Sequence, residues 1–154
     1  MPHPISTTYL DQQVARVSAP LPGAGAYDAA PAELPCPSFD YVTLYVTYTR
    51  AAAGGAVTLR VDFSPDSTGT VWNRKTLYAP AVLAAGVDAA SLEQRETITY
   101  TSTAAGAELS VLGPINLGGT AERIRIACAE SGAVGNPGTC EIVARFASIE
   151  GSGA

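Results

Sequence analysis

From Tyr41 to Ser64 apolar residues recur at every second position, and this two-residue period constrains the fold more than any other feature of the chain. Within Tyr41–Arg50, Val42, Leu44, Val46 and Tyr48 fall on one face of an extended backbone. Tyr41, Thr43, Tyr45, Thr47 and Thr49 fall on the other. After the small-residue stretch from Ala51 to Gly55 the pattern returns. There Val57, Leu59, Val61 and Phe63 point inward, and Thr58, Arg60 and Asp62 point out. Two such runs joined by about five glycine-containing residues predict a β-hairpin, with Gly54 and Gly55 free to take positive φ.

The stretch from Ser64 to Gly69 is turn chemistry: proline presets φ, aspartate bonds nearby backbone and glycine accepts positive φ. Asp66 is expected to cap this turn. Further strands are predicted at Val71–Tyr78, Thr97–Thr103, Glu108–Leu112, Glu122–Cys128 and Cys140–Ser148. Residues 79–96 are assigned to a loop, although Ser91–Gln94 also suits one helical turn. Short strands at this spacing predict an all-β chain, a single antiparallel β-sandwich or jelly roll with a small barrel as the other closed form.

The first forty residues differ. Beyond a short alternating run at Gln13–Ser18, the chain to Asp40 is dense in Pro, Gly and Ala, and proline is confined to strand edges and irregular connections. The expected organisation is an extended N-terminal arm over 1–40, a β-sandwich over 41–149 and a short tail over 150–154. Leu21, Tyr27 and Leu34 argue that the arm docks, either over its own domain or on a neighbour, with one or two short edge strands.

Composition narrows the function. Nine Lys and Arg are scattered through a chain of net charge −5, so no basic patch exists to meet phosphate backbones or anionic lipid. No nucleic-acid or membrane partner is expected. The first residues form no basic and apolar leader, and the longest apolar stretch, near Ala79–Gly86, is too short to cross a bilayer. A soluble protein made in the cytoplasm is the expectation. Only 15% of residues are charged, which suits a surface partly hidden in an assembly, or one kept polar by Thr and Ser.

Catalytic candidates are few. The single histidine, His3, lies between two prolines, where nothing would hold it for general base work. Asp62 with Asp66, and Glu93 with Glu96, are the nearest approach to paired carboxylates of the glycosidase kind. Asp62, Asp66 and Ser67 do not match a known calcium loop. The reading is therefore not an enzyme, with no catalytic, cofactor-binding or metal-binding residues and no cofactor. Tyr41, Tyr45 and Trp72 could form an aromatic platform for carbohydrate or an interface anchor, or serve plain packing. Arg74 and Lys75 beside Trp72 give its strand one wet face. Cys128 and Cys140 fall on the inward side of their strands, and the alternation predicts adjacent antiparallel strands with both thiols in the core. A disulfide between them is open outside the cytosol, reduced packing being the default. Cys36, in the arm, is expected to matter less.

The run Ala24–Glu33 followed by Phe39–Arg74 resembles a class of small accessory virion proteins of tailed bacteriophages. In that class a GAY-x-x-x-P segment precedes a YTR-x-A-x-GG hairpin and an SPD turn before a tryptophan; here these are Gly25–Pro31, Tyr48–Gly55, Ser64–Asp66 and Trp72. The resemblance covers roughly the first half of the chain. It implies a virion structural protein: a capsid decoration or cement protein on the outside of a phage head, or a tail or baseplate accessory. It further implies a homo-oligomer, a trimer in the decoration proteins, with an arm reaching neighbouring subunits and a major capsid protein as partner. The rival reading is a carbohydrate-binding host-recognition module using the tyrosine face, and a β-sandwich glycoside hydrolase stands third.

Overall fold

The computed structural model describes residues 9–80 and 92–148, and every regular element among them is a strand. In chain order these are β1 (Tyr9–Pro20), β2 (Glu33–Pro35), β3 (Tyr41–Thr49), β4 (Ala56–Ser64), β5 (Asn73–Arg74) and β6 (Leu77–Pro80). There follow β7 (Leu92–Arg95), β8 (Ile98–Thr101), β9 (Ala107–Asn116), β10 (Arg123–Glu130) and β11 (Thr139–Ser148). A four-stranded sheet runs β1-β11-β3-β9, and a five-stranded sheet runs β2-β10-β4, with β5 and β8 sharing the far side of β4. All the pairings are antiparallel.

The order has a simple generator. β1 pairs with β11, β2 with β10, β3 with β9 and β4 with β8, so the chain is one long ribbon doubled back on itself. Rolling that ribbon sets β11 beside β3 and β10 beside β4. Two four-strand layers of this order are a jelly roll, one of the ways an all-β chain reduces its open edges. The protein is an antiparallel β-sandwich of that topology.

The core lies between the layers. Val42, Leu44, Val46 and Tyr48 of β3 and Ile142, Ala144 and Phe146 of β11 face Val57, Leu59 and Val61 of β4 and Ile124, Ile126 and Cys128 of β10. The alternation in β3 is buried at every second residue, as expected. In β4 it is blurred: Thr58 and Asp62 are also buried, because Thr99 of β8, Arg74 of β5 and Arg125 of β10 close over them on the outer side.

Several expectations are corrected. β3 and β4 do not form a hairpin but belong to different sheets, joined by a connection that crosses the end of the sandwich. Alternation specifies which face is buried, and a hairpin and a crossing connection satisfy it equally. Here β11 and β9 already occupy both edges of β3. Gly55 marks the crossing, since a Cβ there would meet Tyr48 Oη at 2.6 Å. Within the segment expected as an arm, the described residues dock over their own domain, the first of the two alternatives. From Tyr9 onward they supply β1 and β2, and Ala15, Leu21, Leu34, Cys36 and Phe39 join the core. The segment expected as one strand at Val71–Tyr78 is broken into β5 and β6, and β7 lies where a loop was assigned.

Cys128 and Cys140 both face the core, but not on neighbouring strands. β10 and β11 lie in opposite sheets, and both thiols are fully buried between the layers. Cys36 is equally buried, with its thiol toward Ala121 O and its N–H donated to Glu122 O at 2.9 Å.

Candidate functional site

The outer faces of the two sheets are dressed differently, and the difference is the main clue to function. On the five-stranded sheet the chain covers itself. Asp62 of β4 accepts from Arg74 of β5 at 2.5 Å and from Arg125 of β10 at 3.2 Å. The Arg125 guanidinium lies over the Trp72 ring, 4.2 Å from its centroid, and Trp72 donates from Nε1 to Gly69 O at 2.7 Å. Further along β4, Arg60 stacks on Tyr27 at 4.2 Å, and Thr58 and Thr99 share a hydroxyl bond of 2.7 Å. Cation–π stacking of this kind holds an arginine flat against an aromatic ring while leaving its edge for other partners.

Asp66 is spent within its own turn, as expected. Its carboxylate accepts from the N–H and hydroxyl of Thr68 (2.9 and 2.5 Å), from the N–H and hydroxyl of Thr70 (3.2 and 2.9 Å), and from Val71 N (3.1 Å). The Thr68 hydroxyl first, and then the Thr70 and Val71 donors, hold this carboxyl well below the usual range. Asp62 and Asp66 are therefore held by separate sets of partners. Glu96 is exposed on the connection before β8, while the Glu93 side chain and His3 lie outside the described residues. Among the described residues no cluster of three His, Cys, Asp or Glu is placed to hold a metal ion. A cleft of about 220 Å³ between Lys75–Leu77 and Leu112–Asn116 is lined by one charged side chain, Lys75.

Two polar clamps, one buried and one half-buried, which the sequence reading did not single out, tie the layers together. Glu130, at the end of β10, accepts from Tyr48 Oη (2.8 Å to each carboxylate oxygen), Ala56 N (3.0 Å) and Gly138 N (3.0 Å). Arg16 binds Asp28 through Nε (3.0 Å) and a terminal nitrogen (3.2 Å), and also donates to the carbonyls of Ala19, Pro20 and Cys140. Asp28 in turn accepts from Cys128 N at 3.1 Å. Buried charge persists only when hydrogen-bonded in this way. The signal for both lay in isolated charges within apolar runs, Arg16 between Ala15 and Val17 and Glu130 after Ala127-Cys128-Ala129.

The outer face of the four-stranded sheet is bare. Its rows follow from the register. Leu10, Ala147, Tyr41 and Asn116 stand side by side, as do Val14, Val143, Tyr45 and Val111. Glu141, Thr47 and Leu109 form a third row and Gln12, Arg145 and Thr43 a fourth. Leu10 and Val14 are each 54% exposed, Leu109 63% and Val111 51%. Tyr41 and Tyr45 are half-buried on this face, whereas Trp72 sits on the other sheet. The expected aromatic trio is therefore not brought together.

These features define a jelly-roll β-sandwich with one self-covered and one uncovered sheet. No family model matches the chain, and no curated protein matches it. Among solved structures it is similar to the crystal structure of the infectious bursal disease virus VP2 subviral particle. There the identity is 15%, the match covers 92% of this chain and 41% of that one, and the TM-score is 0.32. It is also similar to the structure of the infectious bursal disease virus Gt strain, at 14% identity, 94% and 43% coverage and a TM-score of 0.31. The chain spans about two fifths of the length of each.

Proposed function

We propose that this chain is a non-enzymatic structural protein of a virus particle, of the kind that decorates and stabilises a phage head from outside. The observation that carries the reading is the contrast between the sheets. Among the described residues, ion pairs and stacked aromatic rings cover one face while the other keeps an open row of apolar side chains, which marks a surface meant to be covered by protein. The resemblance of Gly25–Trp72 to phage accessory virion proteins supplies the setting. In this reading the partners are further copies of the chain and a major shell protein, with the virion as its final location. Purified protein mixed with undecorated phage heads should co-sediment saturably and raise the temperature at which the heads lose their contents. Heads that neither bind it nor gain stability would end the proposal, as would polysaccharide hydrolysis that disappears in Asp62→Asn.

One observation favours the rival reading of a carbohydrate-binding module: Tyr41 and Tyr45 lie on the uncovered face, two rows apart. Glycan binding lost in Tyr45→Ala, with no affinity for heads, would favour it.

A further inference from the structure

We infer that the outer face of the four-stranded sheet is the interface of a two-fold symmetric pair, in which the row Val14–Val143–Tyr45–Val111 of one copy lies on the same row of a second copy. The inference stands apart from the virion reading, since it concerns only what covers this face.

The face is apolar where it must be. Its central row crosses all four strands without a charge; Leu109 stands in the next row on one side, and Leu10 and Tyr41 stand two rows away on the other. Among the described residues no loop covers it, whereas the opposite sheet is covered through Tyr27 and Trp72.

The charges choose the occupant. Among the register-paired residues of this face the two charged side chains are Glu141 and Arg145, both on β11, two residues to either side of Val143. Neither makes an ion pair within the described residues. A two-fold axis lying in the interface along the central row reverses the strand direction of the second copy. It keeps the apolar row on itself and brings Arg145 over Glu141 of the partner subunit, and the reverse. The patch is thus complementary to itself, as an isologous contact requires. A three-fold arrangement joins unlike surfaces and gains nothing from this pattern.

The area suffices. Four strands about 4.8 Å apart and about 27 Å long present a flat face on the order of 500 Å² per copy. The pair hides on the order of 1,000 Å², the lower limit for a stable association. Stacked sheets incline by about 30°, which still leaves arginine within reach of a partner carboxylate.

The test uses the full chain in sedimentation equilibrium, with circular dichroism confirming that each variant is folded. The wild type should be a dimer. Glu141→Arg and Arg145→Glu should each weaken it about tenfold or more by setting like charges opposite each other. The double variant carrying both changes should regain most of the affinity, and Val143→Glu should give monomer. A monomer at concentrations up to about 100 μM would overturn the inference, because a face of this size should by then associate. So would a trimer, a dimer indifferent to the charge exchanges, or a monomer that binds glycan through Tyr45. Binding to phage heads is scored separately: a dimer that ignores heads refutes the virion reading alone, and a monomer that decorates them refutes this inference alone.

Discussion

Tyr48 Oη lies 2.8 Å from both carboxylate oxygens of Glu130, joining the four-stranded sheet to the five-stranded one where β3 leaves the core. Burial first, and then this bond, push the Tyr48 phenol above the ordinary tyrosine range, so it remains a donor. Glu130 also takes the N–H groups of Ala56 and Gly138, which stand at the two turns crossing that end of the sandwich. A hydrogen bond to a charged acceptor contributes about 1.5–3 kcal/mol, so Tyr48→Phe should cost about that much. Glu130→Ala leaves three donors without their acceptor and should cost at least about 3 kcal/mol. Urea unfolding measures both. A Tyr48→Phe protein within about 0.5 kcal/mol of wild type would show that the clamp is not a stabilising contact.

The Cys36 thiol and the Tyr100 phenol set an alkaline limit. Burial, with the charge of Glu122 second, pushes Cys36 up to about 12, and burial pushes Tyr100 up to about 12. The ordinary values, which the unfolded chain approaches, are 9.0 and 10.0. As pH rises the unfolded chain therefore loses these protons first. The stabilisation is fully present below about pH 9 and is lost as pH climbs toward about 12. Melting temperatures should be level between neutrality and pH 9 and fall above it; a level profile to pH 11 would contradict the burial of these groups. Thiol reagents at neutral pH should label the native protein slowly at all three positions. Serine at Cys36, Cys128 or Cys140 should each cost about 1–3 kcal/mol.

Trp72 reports on the turn built by Asp66. It is the single tryptophan of the chain, its indole N–H is bonded to Gly69 O, and Gly69 lies inside the loop that the Asp66 carboxylate organises. Asp66→Ala should redden Trp72 emission and free the Arg125 stack while leaving far-ultraviolet dichroism nearly unchanged. The folded carboxyl sits below its ordinary range, so this ordering is present above about pH 4 and is lost as pH falls through the lower folded value. Emission in Asp66→Ala identical to wild type would refute the link.

Removing the residues through Pro20 should not leave an intact domain. β1 pairs with β11 over nearly its whole length, and Arg16 holds both Asp28 and the Cys140 carbonyl. The truncated chain would expose an unpaired edge of β11, a template for aggregation. Loss of cooperative unfolding together with light scattering is the expected result. A soluble, cooperatively folding truncation would restore the idea of a separable arm.

The parts of this fold that were legible are those where alternation is unbroken. β3, β9, β10 and β11 lie where their apolar residues place them, and the turn at Asp66 follows from its residues. Sheet membership was not legible, because period two identifies a buried face and says nothing of which partner lies beside it; β3 and β4 read as a hairpin for that reason. β1 was foreshortened because register shifts between Val14 and Arg16, and between Arg16 and Ala19, break its period and turn Arg16 toward Asp28. The cysteines were legible as core residues and not as neighbours. The bare face of the four-stranded sheet is written only across strands, in Val14, Val143, Tyr45 and Val111, and no stretch of chain displays it alone.

The nested pairing of the ribbon also governs how the molecule can be made. Tyr9 stands opposite Ser148, so the first described strand of this sandwich to leave a ribosome is paired with the last described one. During synthesis β1, β2 and β3 wait with their apolar sides uncovered, and the β1–β11 seam closes only after β11 has emerged. Contacts this distant along the chain make folding slow and leave the nascent ribbon exposed to its neighbours. Many copies translated together from one message would then run a race between closing that seam and joining strands with each other, a race that slower translation or a holding chaperone would tilt toward the closed form.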